Sequence, residues 1–320
     1  MMKRATIYIC TLAMMLSACQ QGKRITRFDT ETSGEAVMAA DECFAPIVKE
    51  ELDVFTHINV DALVTPIYTG EKELFDLLVS DSVRLIMAAR ELTASEKAKI
   101  EKENKLTVRS QMIARDGIAL IINKSNPDSV INFATVKKIM TGEITRWEQI
   151  PGYKSDGLGD VKVVFDNPNS STLRFINEKI LEGAPISENV KALATNPEVL
   201  KFVTETPDAL GVIGVNWISN PYDTTKLTFD ETIRVMAVGV TDEIDPHNAF
   251  QPVPYYLHSG EYPLIRNVFL ILTDLRETLP AGVVKFFAGD AGQRIILNAG
   301  LVPATSPTRY INLVDGNINR

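Results

Sequence analysis

The stretch Val163-Val-Phe-Asp-Asn-Pro-Asn-Ser-Ser-Thr-Leu-Arg-Phe175 contains an apolar strand, a polar loop and the start of a helix. The first turn of a helix has free N–H groups and a partial positive charge, so hydroxyl groups beside it create a site for an anion. These residues are Ser170, Ser171 and Thr172. A simpler interpretation of this segment alone is that Ser170 or Ser171 only caps the helix.

Two other loops have the same order of strand, small or polar residues, and helix. They are Asp41-Glu-Cys-Phe-Ala-Pro46 and Tyr68-Thr-Gly-Glu71, where Gly70 would allow a ligand to approach the backbone closely. In open α/β sheets, ligands bind outside the carboxyl ends of the strands. The sequence therefore predicts one binding site built from the three loops, to which the two further loops contribute Cys43, Phe44, Thr69 and Gly70.

Strands and helices alternate along the rest of the chain, which predicts an α/β fold with a mainly parallel sheet. A length of 320 residues predicts about two domains. Two of the predicted strands, residues 106–114 and 118–123, are separated by Asp116-Gly117, which is typical of a turn. The formal net charge of −8 argues against a nucleic-acid partner, because phosphate backbones require a basic surface.

The N-terminus has the three parts of a secretory signal in residues 1–18: Lys3 and Arg4, an apolar segment, and small residues. Leu16-Ser-Ala-Cys19 resembles the lipobox of bacterial lipoproteins, in which the Cys becomes the new N-terminus and carries lipid chains such as palmitate. We therefore expect a protein anchored by lipid at Cys19 in the cell envelope, facing the periplasm or the cell surface, with residues 19–33 as a tether. The alternative is an ordinary signal peptide with a chance Cys.

Motifs for common catalytic and cofactor sites are absent from the sequence. It contains no G-x-x-x-x-G-K-[ST], G-x-S-x-G or H-E-x-x-H, and three scattered His residues make a zinc site improbable. Cys43 would be the single free thiol of the processed chain and lies beside no motif that contains a base. We therefore predict no catalytic residues, no metal, no cofactor and no enzyme activity.

Five short motifs in the right order resemble the phosphate-binding protein family, the solute-binding component of bacterial ABC phosphate importers. They are Glu42-Cys-Phe-Ala-Pro46, Ile139-Met-Thr-Gly-Glu-Ile-Thr-Arg-Trp147, Ser170-Ser-Thr172, Ala209-Leu-Gly-Val-Ile-Gly214, and Phe286-Phe-Ala-Gly-Asp-Ala-Gly-Gln293 with Gly300-Leu-Val-Pro303.

The resemblance implies a type II periplasmic-binding-protein fold, in which two Rossmann-like α/β lobes close on a ligand about a hinge. Lobe 1 would comprise residues 34–113 and 255–320, and lobe 2 residues 114–254. It also implies a monomer that captures inorganic phosphate and delivers it to an ABC permease complex.

The sequence departs from the family pattern at two charged positions. The family has an Arg before its phosphate loop, where this chain has Asp166-Asn-Pro-Asn169, and an Asp that accepts the phosphate proton, where this chain has Ala88-Ala-Arg-Glu91. We therefore expect Arg90 to supply the charge, with Arg174 as the second candidate. The alternative for Arg90 is an ion pair with Glu91 or Glu96.

Three other functions remain open at this point. The site could bind another oxyanion such as sulfate or molybdate, particularly without the proton-accepting Asp. The chain could be a signalling or surface lipoprotein that kept the fold without the ligand. A phosphatase or esterase on the same scaffold is disfavoured, because the sequence offers neither metal ligands nor a Ser/His/Asp arrangement.

Overall fold

The structure, a computed structural model, describes residues 29–306 except for 154–156, 221, 242 and 275. The predicted signal at residues 1–18, Cys19 and most of the tether lie outside the described residues. Among the helices that the structure describes, none combines the length and the apolar character needed to cross a bilayer.

The strands and helices alternate as predicted. The strands are β1 (Ser33–Asp41), β2 (Asp61–Thr69), β3 (Leu85–Ala88), β4 (Arg109–Asn123), β5 (Val130–Asn132), β6 (Lys162–Phe165), β7 (Val190–Ala192), β8 (Ala209–Gly214), β9 (Ile233–Val235), β10 (Ala237–Gly239), β11 (Ala249–Phe250), β12 (Ile265–Leu272) and β13 (Val302–Pro303). The α-helices are α1 (Ala45–Ile58), α2 (Glu71–Val79), α3 (Ala94–Lys102), α4 (Phe133–Thr141), α5 (Ser171–Phe175), α6 (Asn196–Glu205), α7 (Pro254–Ser259), α8 (Leu279–Ala288) and α9 (Asp290–Asn298). Helix α5 continues as a π-helix over Ile176–Leu181.

The main sheet has the strand order β2-β1-β3-β12-β4-β8-β6-β7, and β9 and β13 also pair with β4. Strands β1, β2 and β3 pair in parallel, as do β6, β7 and β8. The strand pairs that involve β12 and β4 are antiparallel. Two parallel regions are thus joined through antiparallel strands, which confirms the predicted α/β class.

Strand β4 connects the two regions because it changes partners along its length. Residues 109–117 pair with β12, and residues 118–123 pair with β8 and β9. We call β1, β2, β3, β12 and residues 109–117 the first sheet half. We call β6, β7, β8 and residues 118–123 the second sheet half.

The predicted turn at Asp116-Gly117 is wrong, because both residues lie within the continuous strand β4. Asp116 is fully buried and pairs in register with Arg266 on β12. A Cβ atom on Gly117 would lie 2.8 Å from Leu257 Cδ2 and 3.1 Å from Pro252 Cβ. The glycine is therefore explained by the close packing of neighbouring side chains and not by a turn.

The three loops predicted from the sequence lie where parallel strands end and helices begin. The loop after β1 forms a short 3-10 helix, Glu42–Phe44, before α1. Gly70 is the N-cap residue of α2, and Ser170 is the N-cap residue of α5. The loops after β1 and β2 belong to the first sheet half, and the loop after β6 belongs to the second. A contact between the loop after β6 and either of the other two therefore joins the sheet halves.

Candidate functional site

The Asp41 carboxylate joins two of the loops. Its Oδ1 atom accepts a hydrogen bond from the N–H group of Cys43 at 3.0 Å. Its Oδ2 atom accepts one from the N–H group of Ser171, also at 3.0 Å, at the start of α5 in the opposite sheet half. The loops that the sequence grouped into one site therefore do meet, through a side chain that was not predicted to belong to it.

Arg266 supplies the positive charge at this junction. Its Nη1 atom donates to Ser171 Oγ at 2.8 Å, and its Nη2 atom donates to Cys43 Sγ at 3.2 Å. Its Nε atom donates to Asp116 Oδ2 at 2.9 Å, and its Cζ atom lies 4.9 Å from the centre of the Phe44 ring. The side chain is only 3% exposed, so the neighbouring carboxylates and dipoles must compensate its charge.

Asp166 adds a second carboxyl group beside the start of α5. It accepts hydrogen bonds from the hydroxyl groups of Ser170 and, at 3.3 Å, Thr172. Burial and the nearby charge of Asp41 raise the pKa of Asp166 to about 7, although the Ser170 hydrogen bond opposes this rise. Burial also raises the pKa of Asp116, against the attraction of Arg266. The Asp166 carboxyl group can therefore hold a proton near neutral pH.

The predicted residues Ser170, Ser171 and Thr172 are all buried at the start of α5. Ser170 caps the helix by accepting a hydrogen bond from the N–H group of Leu173 at 3.2 Å, as the simpler interpretation of this loop requires. Ser171 contacts Arg266 and Asp41, so it does more than cap the helix. The loop is thus a cap and also part of the buried junction.

Cys43 and Phe44 lie at the same junction. Both are fully buried, and the Cys43 carbonyl oxygen accepts hydrogen bonds from Asn216 Nδ2 at 3.0 Å and Trp217 Nε1 at 2.9 Å. Burial raises the pKa of the Cys43 thiol well above its usual range, against the attraction of Arg266. The thiol is therefore protonated at neutral pH, which agrees with the prediction that it is not a nucleophile.

Arg90 lies in an ion-pair network, as the alternative interpretation expected. Its Nη1 and Nη2 atoms donate to the two carboxylate oxygens of Glu96 at 2.8 and 2.9 Å, and its Nε donates to Glu71 at 3.3 Å. Its Cζ atom also lies 3.5 Å from the centre of the Phe75 ring. These contacts hold the Arg90 guanidinium against carboxylates of α2 and α3.

Arg174 reaches the same carboxylate from the second sheet half. Its Nε and Nη2 atoms donate to the two oxygens of Glu71 at 2.6 and 3.1 Å, and Nη2 also donates to the Ala89 carbonyl oxygen at 3.3 Å. Arg90 and Arg174 therefore converge on Glu71. They line, with Asn169 and Ser170, a cavity of about 430 Å³ beside the junction.

Thr69 and Gly70 directly precede Glu71, which lines this cavity. The Thr69 hydroxyl donates to Glu73, in the first turn of α2. A Cβ atom on Gly70 would lie 3.0 Å from both Asn167 Oδ1 and the Asn169 carbonyl oxygen, which belong to the loop of the second sheet half. The small residue predicted to admit a ligand thus allows the two loops to approach each other.

Arg266 was missed because no motif surrounds it, but the sequence contains a signal. The segment Ile265-Arg-Asn-Val-Phe-Leu-Ile-Leu272 is an apolar strand, and Arg266 falls on the same face as Val268 and Leu270. An arginine at an inward position of a strand requires a buried partner. Asp116, which the sequence assigned to a turn, is that partner.

Metal binding receives no support from the part of the chain that the structure describes. Within it, no group of three or more His, Cys, Asp or Glu side chains has an arrangement that could hold a metal ion. The junction therefore consists of hydrogen-bond donors, one guanidinium and carboxyl groups, which is a set suited to binding a small oxyanion.

A family model described as a PBP superfamily domain matches residues 27–291. The chain belongs to the PBP superfamily. The phosphate-binding protein PstS of Borreliella burgdorferi is 23% identical over 268 residues, which cover 81% of this chain and 86% of that protein. PstS of Bacillus subtilis strain 168 is 22% identical over 284 residues, which cover 87% of this chain and 83% of that protein.

Solved structures of the superfamily have the same fold. A protein from Clostridium perfringens with bound phosphate, assigned as a phosphate ABC transporter substrate-binding protein, has a TM-score of 0.69 at 19% identity, covering 85% of this chain and 100% of that one. An ABC-type phosphate transport receptor from Vibrio cholerae has a TM-score of 0.61 at 18% identity, covering 83% and 99%. The predicted family and fold are confirmed, and the relatives are binding proteins and transport receptors, in line with the prediction of no enzyme activity.

Proposed function

We propose that the chain is the phosphate receptor of an ABC-type importer and captures inorganic phosphate between two lobes. The observation that carries this proposal is the junction of Cys43, Ser171 and Arg266. Two N–H groups at the starts of helical segments, a hydroxyl and a buried guanidinium converge there from both sheet halves. These are the donors that bind phosphate in proteins. The names of the curated relatives support the same ligand.

The proposed lobes follow the division expected from the sequence, with residues 34–113 and 255–320 in lobe 1 and 114–254 in lobe 2. The change of partners along β4 supports a division within this strand, although it comes after residue 117, four residues later than the expected boundary. Closure about β4 and the segment before β12 would bring the donors of the two sheet halves together. The hydrogen bond between Arg174 and Glu71 would then be a contact of the closed form, and the hydrogen bond between Asp41 and Ser171 a contact of the closed form without phosphate.

The proposed ligand roles are divided between the junction and its edge. Cys43, Phe44, Ser170, Ser171 and Thr172 remain candidate donors of backbone N–H or hydroxyl groups. The charge that was expected from Arg90 or Arg174 is instead assigned to Arg266, because its guanidinium already contacts Ser171. Arg90, Arg174, Thr69 and Gly70 would then shape the entrance.

A buried carboxylate favours phosphate over sulfate or molybdate. Phosphate retains a proton near neutral pH and can donate it in a hydrogen bond to a carboxylate, whereas fully deprotonated oxyanions can only accept. A deprotonated oxyanion would leave the carboxylate of Asp116 facing it without a shared proton, which is costly in a buried site. Asp116 would replace the proton-accepting Asp that the sequence pattern lacks.

The proposed location is the outer face of a membrane, with the protein anchored by lipid at Cys19. The sequence Leu16-Ser-Ala-Cys19 after an apolar segment supports it. The receptor would act as a monomer that delivers phosphate to an ABC permease complex, as the family resemblance implies.

Calorimetric titration of the purified protein with phosphate, sulfate and molybdate tests this function. We expect one phosphate per chain, and affinities for sulfate and molybdate that are lower by about tenfold or more. Equal or tighter binding of sulfate or molybdate would favour a receptor for another oxyanion. If phosphate neither releases heat nor raises the melting temperature, the chain is a signalling or surface lipoprotein instead.

A further inference from the structure

The Asp41 carboxylate is fully buried between the starts of two helical segments. One oxygen accepts from the Cys43 N–H group beside it, and the other accepts from the Ser171 N–H group of the opposite sheet half. A buried oxyanion held by N–H groups from two helix starts has the bonding pattern that such sites offer to phosphate or to carboxylate ligands. In this chain, the oxyanion with that bonding pattern is the Asp41 side chain itself.

The surroundings of this carboxylate match those of a bound anion in charge as well as in hydrogen bonds. Arg266 lies close enough to Asp41 for their opposite charges to attract each other. It also donates a hydrogen bond to Ser171 Oγ, in the same residue whose N–H group donates to Asp41. The carboxylate of Asp166, in contrast, repels that of Asp41. A single position therefore receives two N–H donors and a nearby guanidinium.

We propose that Asp41 acts as an internal anion, whose carboxylate must leave the N–H groups of Cys43 and Ser171 before phosphate can take their hydrogen bonds. This inference rests on the proposed function and names the residue that sets its affinity. When a site is free for only a fraction of the time, the apparent dissociation constant rises in inverse proportion to that fraction. Asp41 thus competes with phosphate and also adds a negative charge beside it.

Two variants of Asp41 test the proposal. Asp41→Ala removes the carboxylate and leaves the two N–H groups without it. Asp41→Asn removes the charge and keeps an acceptor oxygen for the Cys43 N–H group, but it places an NH2 group, which cannot accept, against the Ser171 N–H group. Asp53→Ala is the matched control, because it removes an aspartate that is exposed on α1 and paired with Lys49. Circular dichroism establishes that each variant is folded before binding is measured.

Phosphate affinity of each protein is measured by calorimetry. We expect both Asp41 variants to bind phosphate more tightly than wild type by about tenfold or more, and Asp53→Ala to bind like wild type. Formate, a free carboxylate of the same geometry, should raise the melting temperature of Asp41→Ala and not that of wild type or Asp53→Ala.

The outcomes separate this inference from the proposed function. If wild type binds phosphate and both Asp41 variants bind it equally or more weakly, the inference is overturned and the function stands. If wild type does not bind phosphate but an Asp41 variant does, the inference stands and the function of the natural chain is overturned. If no protein binds phosphate and formate stabilises none of them, both are overturned.

Discussion

Arg266 and Arg90 have opposite environments although both are held by carboxylates. Arg266 is buried and divides its donors among Asp116, Ser171 and Cys43, which lie on different elements. The Arg90 guanidinium is partly exposed, and both of its terminal nitrogens donate to Glu96. A ligand that replaces a contact of Arg266 would remain beside a buried charge, where electrostatic attraction is least screened.

Arg266→Lys should weaken phosphate binding by about tenfold or more, which corresponds to about 1.4 kcal/mol. Lysine retains the charge that Asp116 requires, but an ammonium group cannot reach Asp116 and the ligand with a planar fork. The matched control is Arg90→Lys, for which we expect an affinity close to that of wild type. Calorimetry measures both affinities. Weaker phosphate binding by Arg90→Lys together with unchanged binding by Arg266→Lys would mean that Arg90 supplies the charge.

Phosphate affinity should also depend on the protonation of Asp166. Burial raises the pKa of this carboxyl group to about 7, so it is about half protonated at neutral pH. As the pH rises from 6 to 8, Asp166 ionises and adds a negative charge beside the ligand, which lowers the affinity. In Asp166→Asn this contribution is absent, so its affinity should fall less over the same range. Parallel pH profiles for the two proteins would contradict this role.

At the scale of single elements, α1 contains a buried carboxyl group that lies apart from the site. Glu51 is fully buried, and burial together with the nearby charge of Glu50 raises its pKa to about 9. The folded protein therefore keeps this group protonated up to about pH 9, whereas the unfolded chain releases the proton near its ordinary pKa of 4.5. Since the folded state binds more protons between these values, the free energy of unfolding falls as the pH rises.

Glu51→Gln should remove this dependence and stabilise the protein at pH 8 by on the order of 2 kcal/mol, because glutamine needs no proton to be neutral. The matched control is Glu101→Gln on α3, which changes a glutamate paired with Lys97 at the surface. Urea denaturation at pH 6 and pH 8 measures the effect. A stability of Glu51→Gln below that of wild type at both values would show that the carboxyl group is required in its protonated form.

The loops at the carboxyl ends of β2 and β6 approach each other at Gly70. Gly70→Val should weaken phosphate binding, because a side chain there would meet Asn167 and Asn169 and keep the loops apart. Gly159→Val is the control, since the nearest atom to its Cβ position is an Asp208 oxygen at 3.9 Å. Calorimetry compares the two; unchanged affinity in Gly70→Val would mean that phosphate binding does not need this approach.

Local patterns predicted the elements well, because caps, helical periodicity and apolar runs are properties of neighbouring residues. The starts of α2, α3 and α5 follow this rule, and so do the three loops that meet at the site. Strand β4 was divided at Asp116-Gly117 because these residues are typical of a turn. Their actual partners, Arg266 and Leu257, lie more than a hundred residues away in the chain. Distant pairing of this kind left Arg266 and Asp41 unassigned to the site.

At the scale of the whole molecule, attachment to the membrane depends on one residue at the N-terminus. Cys19→Ala should release the protein from the membrane fraction or leave it unprocessed, because the lipid would have no thiol to which it could be attached. Fractionation followed by electrophoresis measures this, with Cys43→Ala as the control for loss of a thiol. A Cys19→Ala protein that fractionates and migrates like wild type would contradict the lipid anchor.

The central claim is that an oxyanion binds where the two sheet halves meet, at Ser171 and Arg266. Crystals of the protein grown with arsenate, which mimics phosphate, test it through the anomalous scattering of arsenic. We predict one arsenic peak within hydrogen-bonding distance of both the Ser171 N–H group and the Arg266 guanidinium, at the position that the Asp41 carboxylate otherwise occupies. A peak in the cavity between Arg90 and Arg174, with Asp41 still bonded to Ser171, would contradict the account.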